Sequence, residues 1–243
     1  MIKVKKFSKD NYLAWDAFVR NANNGTIFHL RKFLNYHSPE RFKDNSIELY
    51  KGNNLLSVFP AADIMKEGKR ILVSHPGASY GSFITKEDLS IKNAIEMVKE
   101  LNGYAIRKGF DGIEMTIPPS FYSNRVSNYV EYALLSGGFD YLRREVTSTL
   151  TIGENDDDIL NKFKPSHQRA VKRSQSLGVE VKITNKVDEF FSILETNLKI
   201  RHDVKPTHTI DELKTLITFF PEEINVFGAF YNNQMIAGVL NII

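Results

Sequence analysis

A short pattern occurs twice in this chain, once in each half. Leu49-Tyr50-Lys51-Gly52-Asn53-Asn54-Leu55-Leu56 reads as strand, turn, strand, and Ala229-Phe230-Tyr231-Asn232-Asn233-Gln234-Met235-Ile236 reads the same way. Apolar residues on either side of a Gly/Asn turn mark a hairpin, because Gly and Asn accept the positive φ of a tight turn. Each copy follows two stretches with helical spacing of apolar residues. A diverged repeat of this kind predicts two mixed α/β lobes over 1–145 and 146–243, each a central sheet flanked by helices.

The first half begins with Ile2 to Phe7, which alternates as a half-buried strand does. Ser8 and Asp10 are N-cap candidates for a helix over Asn11–Asn21, and a short helix is expected over Leu30–His37. Strands are expected at Ile47–Tyr50, Leu55–Ala62 and Arg70–Ser74. A loop dense in turn formers follows, from His75 to Ser82. Then come a helix over Ser90–Lys108, a strand over Gly112–Ile117, a helix over Val126–Ser136 and a mostly extended stretch, Phe139–Ile152. In the second half, the acidic run Glu154–Asp158 is expected to open a helix reaching Leu177, broken at Pro165. A strand at Val179–Ile183, helices at Asp188–Arg201 and Asp211–Phe219, and strands at Ile224–Tyr231 and Met235–Ile242 complete it. The chain stops inside an apolar strand, at Asn241-Ile242-Ile243. A bare apolar edge strand is an aggregation hazard, so the second lobe is expected to be incomplete at its C-terminus.

Composition narrows the function. Of 243 residues, 42% are hydrophobic and 25% charged, which excludes disorder as the default state. The net charge of +3 does not by itself argue for nucleic acid, and DNA is not expected as a partner. The chain has no cysteine, which removes disulfides, thiolate zinc sites and cysteine nucleophiles. No apolar run reaches the roughly 18 residues of a membrane span, and no apolar core of a secretory signal follows the basic N-terminus. A cytoplasmic protein is expected. Gly-x-Ser-x-Gly and Walker-type motifs do not occur, which argues against a serine hydrolase of that kind and a P-loop NTPase.

The order strand, two helices, hairpin, strand, Gly-rich loop, helix, strand resembles the GNAT acyltransferase fold. Two such lobes in tandem resemble the FemAB-like group and the related BioF2-like acetyltransferase domain. The residues that carry this are Thr26-Ile27-Phe28-His29 with Phe33-Leu34-Asn35-Tyr36-His37, then Ser74-His75-Pro76-Gly77-Ala78-Ser79-Tyr80-Gly81. In the second half they are Gln168-Arg169-Ala170-Val171-Lys172-Arg173-Ser174, and Arg201 with Lys205-Pro206-Thr207-His208-Thr209. The resemblance implies an α+β, GNAT-like tandem fold. It implies transfer of an N-acyl or aminoacyl group from acyl-CoA or aminoacyl-tRNA to a small-molecule or nucleotide-linked amine, with no tightly bound cofactor. It makes Tyr36 and His37 substrate contacts.

Acyl transfer to an amine needs a polarised carbonyl, a proton acceptor and alignment of the two reactants. The His75–Gly81 loop is the first candidate. Gly77, Ser79 and Gly81 can bring backbone N–H groups close to a phosphate, and His75 or Tyr80 can serve as acid or base. The alternative is a plain surface turn. Glu114, mid-strand in Gly-Ile-Glu-Met-Thr-Ile, is either a base in a cleft or an outward charge. Lys162, Lys164, Arg169, Lys172 and Arg173 gather on one helix, as a phosphate or tRNA contact or as a solvated face. Arg201, Lys205 and His208 surround the turn after the next helix. There a guanidinium can clamp an anion and His208 can move a proton, or His208 merely precedes a helix cap. His202, Asp203 and His208 lack the spacing of a metal motif, and no metal is expected. The expected function is an acyltransferase, with a non-catalytic binding module for an anionic or nucleotide-linked ligand as the alternative.

Overall fold

A computed structural model gives the fold and describes residues 1–38, 40–153 and 156–243. The chain divides into two compact units, Met1–Arg143 and Arg144–Ile243.

The first unit opens with β1 (Ile2–Lys6), a 3-10 turn over Lys9–Asn11 and α1 (Tyr12–Arg20). A second 3-10 turn, Ile27–His29, leads into α2 (Arg31–Leu34). Then come β2 (Lys43–Asp44), β3 (Ile47–Lys51), β4 (Asn54–Phe59), β5 (Ala62–Lys66), β6 (Lys69–Ser74) and β7 (Ile84–Thr85). The long helix α3 (Ile91–Arg107), β8 (Gly112–Met115) and α4 (Tyr129–Ser136) complete the unit. The strands form two sheets, ordered β1-β3-β4-β7 and β2-β5-β6-β8. Among the described residues, only the β6–β8 ladder is parallel.

The strand expected over Leu55–Ala62 divides at Pro60. Phe59 ends β4 in one sheet, and Ala62 starts β5 in the other. Proline has no N–H to give a ladder, so the chain can change sheets at that point. A second hairpin, β5–β6, follows around Glu67-Gly68, and its first strand was not expected beyond Ala62. The helix expected over Leu30–His37 is only four residues long. Its first N–H is taken by Asp16 Oδ1 at 2.7 Å, and Tyr36 and His37 lie beyond its end.

Ser90 caps α3 by accepting the Asn93 N–H at 3.2 Å, as the sequence suggests. Along α3, Ala94, Met97, Val98, Leu101, Tyr104 and Ala105 are buried, the spacing of one helix face. They pack with Ile2, Ile47, Leu49, Phe59, Leu72 and Phe83 into the core of this unit.

The second unit holds α5 (Asp156–Asn161), α6 (Pro165–Ser176), β9 (Glu180–Ile183), α7 (Val187–His202), α8 (Ile210–Phe219), β10 (Ile224–Tyr231) and β11 (Gln234–Ile242). The acidic run expected to open the first helix starts at Glu154, outside the described residues. Pro165 does interrupt the helix and stands in the first turn of α6, where a missing N–H costs nothing. The stretch Phe139–Ile152, expected to be mostly extended, joins no ladder, and Leu142, Val146 and Ile152 are exposed. Its β-branched residues favour a strand but pair with no strand among the described residues.

The repeat is visible in strand pairing. Sheet order in the second unit is β11-β10-β9, all antiparallel. Val4 lies opposite Leu49 in the first unit, and Val181 opposite Ala229 in the second. Both hairpins turn over two residues, and both ladders slip register at the same place, between Leu49 and Tyr50 and between Ala229 and Phe230. Each unit therefore runs strand, two helices, hairpin. The fold is GNAT-like α+β in tandem.

Candidate functional site

The 75–82 loop leaves the end of β6 and returns to it, with Ser82 bonded to Ser74. Gly77 has φ +82, and a Cβ there would lie 2.4 Å from His37 Nε2. A Cβ on Gly81 would lie 2.2 Å from the Ser74 carbonyl oxygen. Close packing thus demands both glycines. The N–H groups of Ala78, Gly81 and Ser82 donate to His75 O (3.2 Å), Thr116 O (2.9 Å) and Ser74 Oγ (2.8 Å). Of Gly77, Ser79 and Gly81, the residues expected to cradle a phosphate, Gly81 has its N–H taken by Thr116 O.

The loop does gather several of the expected groups. His75 is buried and donates Nδ1–H to Pro76 O at 2.7 Å, which leaves the lone pair on Nε2. Burial lowers its pKa to about 4, so the ring is neutral at pH 7. His37 accepts from the Arg41 guanidinium at Nδ1 (3.0 Å). Phe42 stands edge-on to both imidazoles, 5.1 Å from His37 and 5.7 Å from His75 between ring centroids. Tyr36 OH reaches Gly77 O at 3.5 Å. Tyr80 packs edge-on against Phe28 and beside Tyr122; burial, with Tyr122 adding, raises its pKa.

Behind this cluster lies a buried polar layer that the sequence did not reveal. His29 accepts the Thr26 N–H at Nδ1 (3.0 Å), and burial lowers its pKa to about 4. The guanidinium of Arg31, 2% exposed, pairs with Asp44, donates to Ser46 Oγ at 2.9 Å and covers the Phe7 ring at 4.1 Å. Burial works to raise the Asp44 pKa, but Arg31 and Ser46 hold it below the usual value.

Glu114 sits on β8 and pairs with Lys66 of β5, half-exposed. That is the arrangement of an outward charge on an edge. The remaining expected residues belong to the second unit. Arg169, Lys172 and Arg173 are exposed on α6, a helix with no buried residue and no acidic residue. Arg201 ends α7, Lys205 is exposed in the following turn, and His208 directly precedes Thr209. Thr209 and Glu212 form a capping box on α8. Among the described residues no group of three or more His, Asp or Glu side chains could hold a metal ion. No helix among them is long and apolar enough to cross a membrane.

A cavity of about 300 Å³ lies within the first unit, beside the loop. Three connections wall it: Asn23 and Asn24 after α1, Ser82 to Lys86 before α3, and Ile117 to Glu131 after β8, with Tyr141. The two asparagines clip these connections together. Asn23 Nδ2 donates to Arg125 O (2.9 Å), and its Oδ1 accepts Arg125 N–H (2.7 Å). Asn24 Nδ2 donates to Phe83 O (2.8 Å), and its Oδ1 accepts Thr85 N–H (2.9 Å). In sequence they read only as a helix break. Their role emerges from contacts with residues distant in the chain, so no local signal could have found it.

No family model matches the chain. No curated protein sequence matches it either. Among solved structures, it is similar to FemX, with 14% identity and a TM-score of 0.59, over 93% of this chain and 57% of that one. The chain thus spans somewhat over half the length of FemX. Shorter matches, over 61% and 63% of this chain, are to a GNAT family acetyltransferase of Staphylococcus aureus (9% identity, TM-score 0.38) and to an aminoglycoside acetyltransferase from an uncultured soil sample (10%, 0.39). They cover 98% and 97% of those chains. At such identity the likeness to FemX is one of fold.

Proposed function

We propose that this chain belongs to the FemAB-like group and is an acyltransferase, moving an N-acyl or aminoacyl group from an activated donor to an amine of a sugar or peptide precursor. The observation that carries this reading is the doubled GNAT-like unit, which shares its fold with FemX over 93% of the chain. The donor is acyl-CoA or an aminoacyl-tRNA. The basic face of α6, with Arg169, Lys172 and Arg173, contacts its phosphates, and Arg201 and Lys205 add to the positive surface. In the first unit, His75 keeps an unprotonated Nε2 and accepts a proton, with Tyr80, Tyr36 and His37 lining the same cluster. Glu114 serves as a second base only once Lys66 releases it. His208 serves the second unit. The chain acts in the cytoplasm.

Donor binding tests this directly. Acyl-CoA or aminoacyl-tRNA at 100 times its Kd stabilises the protein by about 2.7 kcal/mol, visible as a rise in melting temperature. If neither shifts the melt, the transferase reading fails. The pairing of Glu114 with Lys66 favours one second reading, a non-catalytic module that holds an anionic ligand. It predicts a melting shift with no transfer.

A further inference from the structure

The repeat also shows where the two units differ. In the first, Phe7 N–H donates to Ser46 O at 2.9 Å; in the second, Thr184 N–H donates to Val226 O at 2.9 Å. Both bonds sit at the same place in the plan, one residue past the strand that pairs antiparallel with the hairpin. The first unit fills this place with its own side chains. The Phe7 ring packs edge-on against Trp15 at 5.2 Å, and the Arg31 guanidinium covers it at 4.1 Å. In the second unit Thr184 stands where Phe7 does and has no ring to give. A groove of about 730 Å³ lies there instead.

Its lining says what fits. Val187, Ile224 and Val226 are buried, whereas Ile183, Ile217 and Pro221 keep apolar surface that an occupant can cover. Among the described residues that line the groove, Lys214 is the only charged one, and none is aromatic. Lys214 Nζ lies 2.8 Å from Asp188 Oδ1, and both side chains are exposed. An exposed pair of this kind contributes little, and an ammonium has three donors, so Lys214 has capacity for a second carboxylate. A polyanion would find one cation here, and a flat ring would find no ring to stack on. Apolar walls with a single cation at the rim suit a flexible apolar chain with one negative end, in a space of the usual size for a small-molecule site.

We propose that this groove binds an aliphatic carboxylate, its chain along Ile183, Ile217 and Pro221 in the place that Phe7 fills in the first unit, and its head group on Lys214 Nζ. The site stands apart from the transferase reading. It lies within the second unit, and none of the residues named for proton transfer or for donor phosphates line it.

Saturation-transfer NMR on the full chain tests this, with hexanoate, octanoate and decanoate as probes and no acyl donor present. Octanoate receives saturation, and each added methylene lowers Kd by up to about fourfold. Octylammonium, equally long but of opposite charge, binds about tenfold more weakly. Lys214→Gln, at an exposed position, stays folded and raises the octanoate Kd about three- to tenfold. Thr184→Phe gives the second unit the ring that the first already has, and octanoate no longer binds. Should that ring disturb the fold, the Lys214→Gln Kd and the chain-length series decide. The proposal is overturned if octanoate receives no saturation, if Kd does not change with chain length, if octylammonium binds as tightly as octanoate, or if Lys214→Gln binds as wild type does.

Discussion

Gly77 and Gly68 have similar backbones, φ +82 and φ +77, in different surroundings. A Cβ on Gly68 meets nothing within 4 Å, whereas one on Gly77 meets His37 at 2.4 Å and Phe42 at 3.0 Å. Gly68→Ala is therefore expected to cost about 1–2 kcal/mol, the left-handed penalty alone. Gly77→Ala adds overpacking, typically about 1–3 kcal/mol more. Urea unfolding of both variants reads the difference, and equal losses would mean that the His37 contact is not tight. His29 and His75 set the response to acid. Both have folded pKa values of about 4 against 6.5 when unfolded. Between those values the unfolded chain binds protons that the folded one refuses. The stability from their neutral burial is thus complete above pH 6.5 and is lost as pH falls toward 4. Each contributes on the order of 3 kcal/mol. The urea midpoint should drop across this window, and His75→Gln should flatten the drop. A midpoint unchanged from pH 7 to 4 would contradict this.

At the scale of elements, the hairpins test the repeat. Asn232 and Asn233 both have positive φ, 49° and 63°, as a two-residue turn with this twist requires. Asn233→Gly should stabilise the protein by up to about 1 kcal/mol and Asn233→Val should destabilise it, measured by urea unfolding. Loss of stability in the glycine variant would argue against this turn. These turns were legible in the sequence because Gly and Asn state their own backbone preference. So were α3, from Ser90 and its apolar face, and α7 and α8, from their periodicity. The passage from β4 to β5 was less so. Pro60 marks a break but does not say that the chain resumes in another sheet. The Phe139–Ile152 stretch was expected only to be mostly extended, and whether such a stretch pairs is decided by the neighbours that tertiary structure provides. The candidate site was legible only in part. The sequence picked out the 75–82 loop, but for its glycines' openness, and the structure shows those glycines under close contact. Ser82, Asn23 and Asn24 carry no motif, because their role comes from elements that meet only on folding.

For the molecule as a whole, two units repeat one plan, and the first has a cavity beside the 75–82 loop, whose buried His75 is neutral at pH 7. The transferase reading joins this plan to a chemistry. Its most direct measurement is mass spectrometry of an amine acceptor, glucosamine or a lysine-containing peptide, incubated with the protein and either acetyl-CoA or an aminoacyl-tRNA. The account predicts that an acceptor gains the mass of the acyl group, and that a variant with both His75→Gln and Glu114→Gln leaves it unchanged. An acceptor that stays at its original mass with both donors would contradict it.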